Sequence, residues 1–222
     1  MNFSGCTGLV GTLVTLPPPS MKTFNIRSTG MKIDVVAIEW PEWANATALV
    51  HDDSELVCRT TDQDESKEGA ESIKTRIGCE SEQVIGDIGK LVLPGGMQEV
   101  NFAGCRGLTG NIGQLHLPVG TKDLNFLGCE KLTGDLAQLQ LPVGMQDLNL
   151  GGCRALTGDL TQLHLPVGMK DLNLWGCKAL TGDITQMNLP EGMQTVNFVR
   201  CARLTGKLPA SERAKVKNYR GP

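Results

Sequence analysis

The chain has 222 residues, a mass of 23.8 kDa and a formal net charge of −3, from 21 basic and 24 acidic residues. This balance argues against a protein that wraps nucleic acid with an overall basic surface. A hydrophobic content of 40% argues against a chain that is disordered throughout. The apolar runs are shorter than the roughly 18 residues of a membrane-spanning helix, so such a span is excluded.

Residues 1–41 carry degenerate copies of a 24-residue repeat that becomes regular further along the chain. Phe3, Cys6 and Leu9 keep the spacing of the phenylalanine, cysteine and leucine in the last regular copy. The sequence thus begins inside a repeat, and no polar capping unit is visible at either end, although solenoids normally need one. We therefore expect a fragment of a longer array or a truncated product, with an unusual start at Met1 as the alternative.

Residues 42–83 break the period and concentrate the acidity of the chain, with eleven acidic and four basic residues, a net charge of −7. The segment is predicted to be an acidic irregular insertion, or a degenerate repeat with a loop inserted in it. Cys58 and Cys79 would form a disulfide in an oxidising compartment and stay reduced otherwise. Asn45 lies in a glycosylation triplet, which would matter if the chain is secreted.

Residues 84–209 contain five regular repeats, with cysteines 24 residues apart. In one copy, Leu148 and Leu150 flank Asn149, and this alternation predicts a strand with its leucines inward. The following Thr157-Gly158-Asp159 is typical of a turn. One repeat cannot bury its own apolar side, but stacked repeats can cover each other. The period therefore predicts a solenoid with a parallel sheet, its strands about 4.8 Å apart.

The pattern M/L-x-x-L-x-L-x-x-C-x-x-L resembles the leucine-rich repeat, and the L-T-G-D/N-I/L that follows resembles its plant-type subclass. The cysteine resembles the cysteine-containing subclass. The resemblance implies a repeat solenoid of about seven to eight coils, with a parallel β-sheet on one face and irregular segments, short strands or 3-10 turns on the other. It makes residues 84–209 five regular leucine-rich repeats and residues 1–41 degenerate ones, and it implies recognition or scaffolding.

Two columns of the repeat are predicted to form a structural ladder. The cysteines should be buried thiols that hydrogen-bond to loop carbonyls, and their parallel arrangement does not suit zinc. The asparagines face outward at strand spacing, where their amides can hydrogen-bond along the column. The ladder residues are Cys105, Cys129, Cys153, Cys177 and Cys201, and Asn101, Asn125, Asn149, Asn173 and Asn197.

Two further columns face outward on the sheet. The first is acidic and consists of Glu99, Asp123, Asp147 and Asp171, followed by Thr195. We expect a partly solvated charged strip whose repulsion is offset by Lys122 and Lys170, with a calcium site as the alternative. The second column varies most between copies and consists of Ala103, Leu127, Gly151, Trp175 and Val199.

Trp175 is the candidate centre of a protein-binding site. It is flanked by Leu127 and Val199 and rimmed by charged residues, a composition typical of interface hot spots. The alternative is a tryptophan that lies flat over Gly151 and shields the sheet. The predicted partner-binding residues are Lys122, Asp123, Leu127, Asp147, Lys170, Asp171, Trp175, Val199 and Arg200.

The Asx positions after each L-T-G and the basic tail are predicted to have structural roles. The Asx side chains that follow each L-T-G, at positions 87, 111, 135, 159 and 183, are predicted to bond nearby backbone N–H groups. The basic tail, residues 210–222, could form a short helix over the open end of the stack or could fray, and fraying is favoured. Uncapped ends would allow stacking with further repeats.

No catalytic motif is present, and with three histidines and buried thiols an enzyme is not expected. The sequence predicts a non-enzymatic protein–protein interaction module that uses the exposed face of the sheet, with a protein partner and no nucleic acid, cofactor or metal. The alternatives are an ectodomain fragment of a leucine-rich-repeat receptor and a purely structural part of a longer array. The free-thiol ladder favours the cytoplasm, and an extracellular location stays open.

Overall fold

The computed structural model describes residues 84–93 and 97–222 in full, together with the backbone of five short strands between residues 10 and 78. The side chains of those five strands are outside the description, and so is all other chain before residue 84. The predictions on Phe3, Cys6, Leu9, Asn45 and Cys79 therefore fall outside the described residues.

Two parallel sheets dominate the described part of the chain. The first has seven strands, which lie side by side in chain order: β5 (Ile77–Gly78), β7 (Glu99–Ala103), β9 (Asp123–Asn125), β11 (Asp147–Asn149), β13 (Asp171–Asn173), β15 (Met193–Asn197) and β17 (Val216–Arg220). The second has six: β1 (Val10–Leu13), β2 (Gly30–Asp34), β6 (Val84–Asp87), β8 (Gly107–Asn111), β10 (Leu132–Asp135) and β12 (Ala155–Thr157).

The remaining strands form two separate pairs. β14 (Gly182–Asp183) and β16 (Leu204–Thr205) are parallel, and a bridge between Asp159 and Thr181 links their repeat to the preceding one. β3 (Thr47–Asp52) and β4 (Glu55–Thr60) form an antiparallel pair within residues 42–83, with Leu49 opposite Cys58.

The register of the first sheet aligns equivalent residues of successive repeats. Leu148 pairs with Leu124 on one side and with Leu172 on the other, each 24 residues away. Because the offset is one whole repeat, each sequence position becomes a column that runs across the sheet. The predicted parallel sheet is confirmed, and the repeat-like arrangement of its strands is consistent with a solenoid-like fold.

A single hydrophobic cluster runs through the described repeats. Leu148 and Leu150 are buried, as the alternation around Asn149 predicts, while Asn149 itself is partly exposed. Phe102 and Phe126 stack in adjacent repeats with their ring centroids 5.5 Å apart and nearly parallel. Each repeat thus packs its apolar side against the next, which is how stacked repeats obtain a shared core.

The interpretation of Thr157-Gly158-Asp159 as a turn is wrong for its threonine, which lies in β12. The Thr157 hydroxyl donates to the carbonyl of Gly134 in the preceding repeat, at 3.0 Å. Gly158 has a φ of 116°, and a Cβ there would lie 2.1 Å from the Asp135 carboxylate. These bonds between repeats hold the segment beside its neighbour as a strand, and glycine is needed because a side chain would strike the preceding repeat.

Within residues 84–222, five short 3-10 helices follow β6, β8, β10, β12 and β14. Each begins after an Asx residue whose side chain accepts the N–H two residues on. This confirms the structural interpretation of the Asx column. The helices are Ile88–Lys90, Ile112–Gln114, Leu136–Gln138, Leu160–Gln162 and Ile184–Gln186.

The predicted fraying of the tail is wrong, because residues 210–220 form the short helix α1 (Ala210–Ala214) and strand β17. β17 pairs with β15, and Phe198 N–H donates to the Arg220 carbonyl at 2.8 Å. In α1, Glu212 accepts the N–H of Leu189 at 2.7 Å. The last regular strand is therefore covered, which corrects the expectation of an uncapped edge at β15.

Leu148→Ala should lower the free energy of unfolding by about 2–5 kcal/mol, because it opens a cavity between packed repeats. Urea denaturation followed by circular dichroism measures the loss. Val143→Ala is the matched control, since Val143 is 86% exposed in the turn before the same strand. An equal effect of the two changes would show that Leu148 is not part of a close-packed core.

Candidate functional site

The acidic column lies at the amino-terminal ends of the strands in the first sheet. Asp123, Asp147 and Asp171 are the first residues of β9, β11 and β13 and stand in register, each partly exposed. Glu99, in register with Asp123, is 8% exposed. The carboxylates are therefore neighbours at strand spacing, and the three aspartates are partly exposed, in agreement with the expected partly solvated strip.

Burial and the neighbouring carboxyl groups raise the pKa of Asp147 to about 8. Partial desolvation is the largest cause, followed by hydrogen bonds shared with the carboxyl groups of Asp123 and Asp171 and by repulsion from their charges. Asp147 thus keeps its proton at neutral pH and donates it within the column. The proton lowers the repulsion that three stacked carboxylates would otherwise have.

The expected lysine neutralisation of this column is not what the structure has. The Lys170 ammonium donates to the Gln146 side chain, and within residues 97–222 neither Lys170 nor Lys122 forms an ion pair with the aspartates. In the described residues, no three metal-ligating side chains converge as a metal site would need.

The asparagine column lies at or near the carboxyl-terminal ends of the strands. Each side-chain oxygen accepts the backbone N–H two residues on, as Asn173 does from Trp175 at 3.1 Å. One bond along the column joins Asn173 Nδ2 to Asn149 Oδ1 at 3.0 Å. These amides therefore act mainly within their own repeat, where they hold the turn that follows the strand. The predicted bonds along the column contribute less.

The buried cysteines hydrogen-bond each repeat to the preceding one. Cys129, Cys153, Cys177 and Cys201 each donate from Sγ to a carbonyl 27 residues earlier, at 3.0–3.2 Å. Cys105 is also buried. Desolvation raises the pKa of Cys129 to about 12 and that of Cys201 to about 11, and it raises the pKa of Cys153 and Cys177 as well. These thiols are protonated donors at neutral pH, which suits a structural role and not a nucleophilic one.

Trp175 and Leu127 lean over a pair of glycines on the open face. Leu127 is 38% exposed and Trp175 36% exposed, although both are large apolar side chains. A Cβ at Gly151 would lie 2.9 Å from Leu127 Cδ1, and one at Gly152 would lie 4.0 Å from Trp175 Cζ3. Leu127 therefore shields Gly151, while Trp175 covers the neighbouring glycine and keeps a third of its surface open to solvent.

Arg200 lies over the ring of Trp175, with its guanidinium carbon 5.4 Å from the ring centroid. Its φ of 64° is left-handed, a conformation that costs a residue with a side chain on the order of 1–2 kcal/mol. The same position in the four preceding repeats is glycine, with φ between 72° and 79°, at Gly104, Gly128, Gly152 and Gly176. The sequence shows this replacement of glycine by arginine directly, and it is the feature from which the strained residue can be predicted.

The predicted partner-binding residues fall into two groups on the sheet. Leu127, Trp175, Val199 and Arg200 lie together beyond the asparagine column, with Val199 partly exposed. The aspartates and their two lysines lie at the opposite, amino-terminal ends of the strands. The structure thus brings together the apolar residues and the arginine, and it separates the aspartates and lysines from them.

A scan against protein-family models finds no match to the chain, and a search of curated proteins finds none either. None of the helices in the described part of the chain is long and apolar enough to cross a bilayer.

Asp147→Asn should reduce the dependence of stability on pH. The unfolded chain loses the aspartate proton near pH 4, whereas the folded chain holds it to about pH 8. Stability from this group is therefore full at acid pH and is lost as the pH rises through that window. The wild-type urea midpoint should fall between about pH 5 and about pH 8.5, and the variant should show about half of that fall or less.

The control for this experiment is Asp159→Asn, which makes the same substitution in the Asx column. Asn111 already occupies the equivalent position in another repeat and caps its 3-10 helix in the same way. A pH dependence reduced equally by both variants would show that overall charge, and not the carboxyl column, is responsible.

The four thiols that bond to carbonyls, at positions 129, 153, 177 and 201, should resist alkylation in the folded protein. Iodoacetamide at about pH 8 should label them on the order of a hundredfold more slowly than in urea, because burial keeps them protonated. Peptide mass spectrometry reads each position separately, and the unfolded chain is the reference. Equal rates in both states would contradict the buried ladder.

Proposed function

We propose that this chain is a leucine-rich-repeat solenoid that acts as a non-enzymatic protein-binding module, and that its partner contacts the open face of the first sheet around Trp175. The 24-residue pattern with its L-T-G and cysteine positions supports the repeat type. The columns in register support the binding mode, because a fixed scaffold presents its variable positions as one continuous surface.

The observation that carries the proposal is the exposed apolar pair on this face. Trp175 and Leu127 each keep more than a third of their surface in solvent, although the hydrophobic cluster of the protein lies directly beneath the sheet. Tryptophan and arginine are among the residue types enriched at the hot spots that dominate interface energetics. The local bonds of Asn173 and the Arg200 contact hold Trp175 in place before a partner arrives.

The chemistry of the described residues also favours binding over catalysis. The ladder cysteines are buried and protonated, whereas His116 and His164 are exposed just after two of the 3-10 helices. No Cys–His pair is therefore assembled among these residues. A binding face needs neither group.

The test is selection of binding peptides on the full chain. A random display library of about 12-residue peptides would be selected against the wild-type protein, and the dissociation constants of the enriched peptides would be measured on Trp175→Ala. We expect binding to weaken at least about tenfold while the unfolding midpoint changes little, because the side chain is partly exposed.

Val167→Ala is the matched control, since Val167 is an exposed apolar side chain in a turn of the same repeat. Peptide binding should be unaffected by it. Enriched peptides that bind Trp175→Ala as well as wild type would overturn the proposed site, and so would a Trp175→Ala protein that fails to fold, because the residue would then be part of the core.

A further inference from the structure

We infer that the partner presents carboxylates beside an apolar side chain, so that this face binds an acidic segment of another protein. The inference rests on the proposed binding face and adds the chemistry of its partner. It is carried by the segment that follows each strand of the first sheet, which we call the basic rim: residues 104–107, 128–131, 152–155, 176–179 and 200–203.

The basic rim contains six cations and one anion in a chain whose net charge is negative. Its charged residues are Arg106, Glu130, Lys131, Arg154, Lys178, Arg200 and Arg203. The carboxyl-terminal ends of parallel strands meet at one edge of a sheet, so these side chains gather along the edge that adjoins Leu127, Trp175 and Val199.

Most of the cations in the rim are unpaired. Arg154 lies 3.7 Å from Glu130, an exposed pair of little energetic weight. Within residues 97–222, no ion pair involves Lys178, Arg200 or Arg203, and all three side chains are exposed. Their charges are available to a carboxylate from outside, at the repeats that flank and include Trp175.

The strained backbone of Arg200 points to the same use. Glycine would fit its left-handed φ without strain and does so in four preceding repeats, yet here an arginine occupies the position and stacks on Trp175. Strain of this kind persists where the surrounding structure or function requires it. Arg200 is exposed, and a guanidinium that lies over a ring face can still donate to a carboxylate in a bidentate manner.

A protein segment fits this face better than a nucleic acid does. The acidic column lies on the same sheet, a few residues along each strand from the rim, and it would repel the uniformly charged backbone of a polyanion. A peptide can place its carboxylates on the basic rim and an apolar side chain on Trp175, and it can keep charge away from Asp123 and Asp171.

The test uses the peptides selected on the full chain whose binding requires Trp175. We expect them to contain at least about twice the aspartate and glutamate of the unselected library. The tightest peptide would be compared by fluorescence anisotropy with a version in which every acid is replaced by its amide. The amide version should bind at least about tenfold more weakly, and added salt should weaken the acidic peptide.

Protein variants locate the effect. Lys178→Gln and Arg203→Gln should each weaken the acidic peptide about 3- to 10-fold and leave the amide peptide unchanged. Arg200→Gly should weaken both peptides, because it also removes the contact that holds Trp175, and the loss should be at least about threefold larger for the acidic peptide. Arg200→Gly should fold normally, because glycine is the residue of the other repeats. Lys207→Gln is the control, since Lys207 is an exposed cation outside the rim, and it should have no effect.

The outcomes separate this inference from the proposed function. Peptides that need Trp175 but bind equally as acids and as amides would overturn the acidic partner and leave the binding face intact. If no selected peptide depends on Trp175, the proposed function itself fails. A single-stranded DNA of about 20 nucleotides that binds more tightly than the acidic peptide, and loses affinity in Arg200→Gly, would overturn the inference in favour of a nucleic acid.

Discussion

The structure depends on hydrogen bonds that tie each repeat to the one before it. Besides the strand ladders, the Cys153 thiol reaches a carbonyl 27 residues earlier and the Thr157 hydroxyl one 23 residues earlier, and equivalent bonds recur along both columns. An unbonded thiol or carbonyl would carry its desolvation cost in a narrow repeat with little other polar surface inside. These bonds allow one register between neighbours, and every column on the surface follows from that register.

One consequence is a sheet face whose two edges differ in charge. Because the register stacks identical positions, a residue type chosen once per repeat becomes a line of charge: aspartates at the amino-terminal ends of the strands and cations after their carboxyl-terminal ends. The aspartates avoid full repulsion because Asp147 keeps its proton. The cations of the rim lie in solvent and need no such adjustment. The sign of the charge therefore changes from one end of the strands to the other and stays largely the same from repeat to repeat. This arrangement suits a ligand that lies along the stack.

Sequence reasoning succeeded where the determinants are local or periodic. The strand around Leu148 and Leu150 follows from alternation, and the Asx caps of the 3-10 helices follow from side chains that bond two residues on. It failed where the partner lies a repeat away. The local sequence predicts a turn at Thr157, because the bond of its hydroxyl to Gly134 lies one repeat away. The pairing of the 210–222 tail with β15 was missed for the same reason, because nothing within the tail shows which strand it will join.

Arg200 shows how a departure from the repeat carries more information than the repeat itself. Four copies have glycine where the backbone is left-handed, so glycine is the residue that suits the scaffold there. The fifth copy has Arg200 instead. A residue that costs stability without filling the core or closing a bond between repeats is explained by what it contacts, and Arg200 contacts the exposed ring of Trp175. The exposed aromatic, the unpaired cations and the strained backbone lie together at one edge of the sheet. That edge is where this chain departs from its regular repeat, and it is where we place the proposed acidic partner.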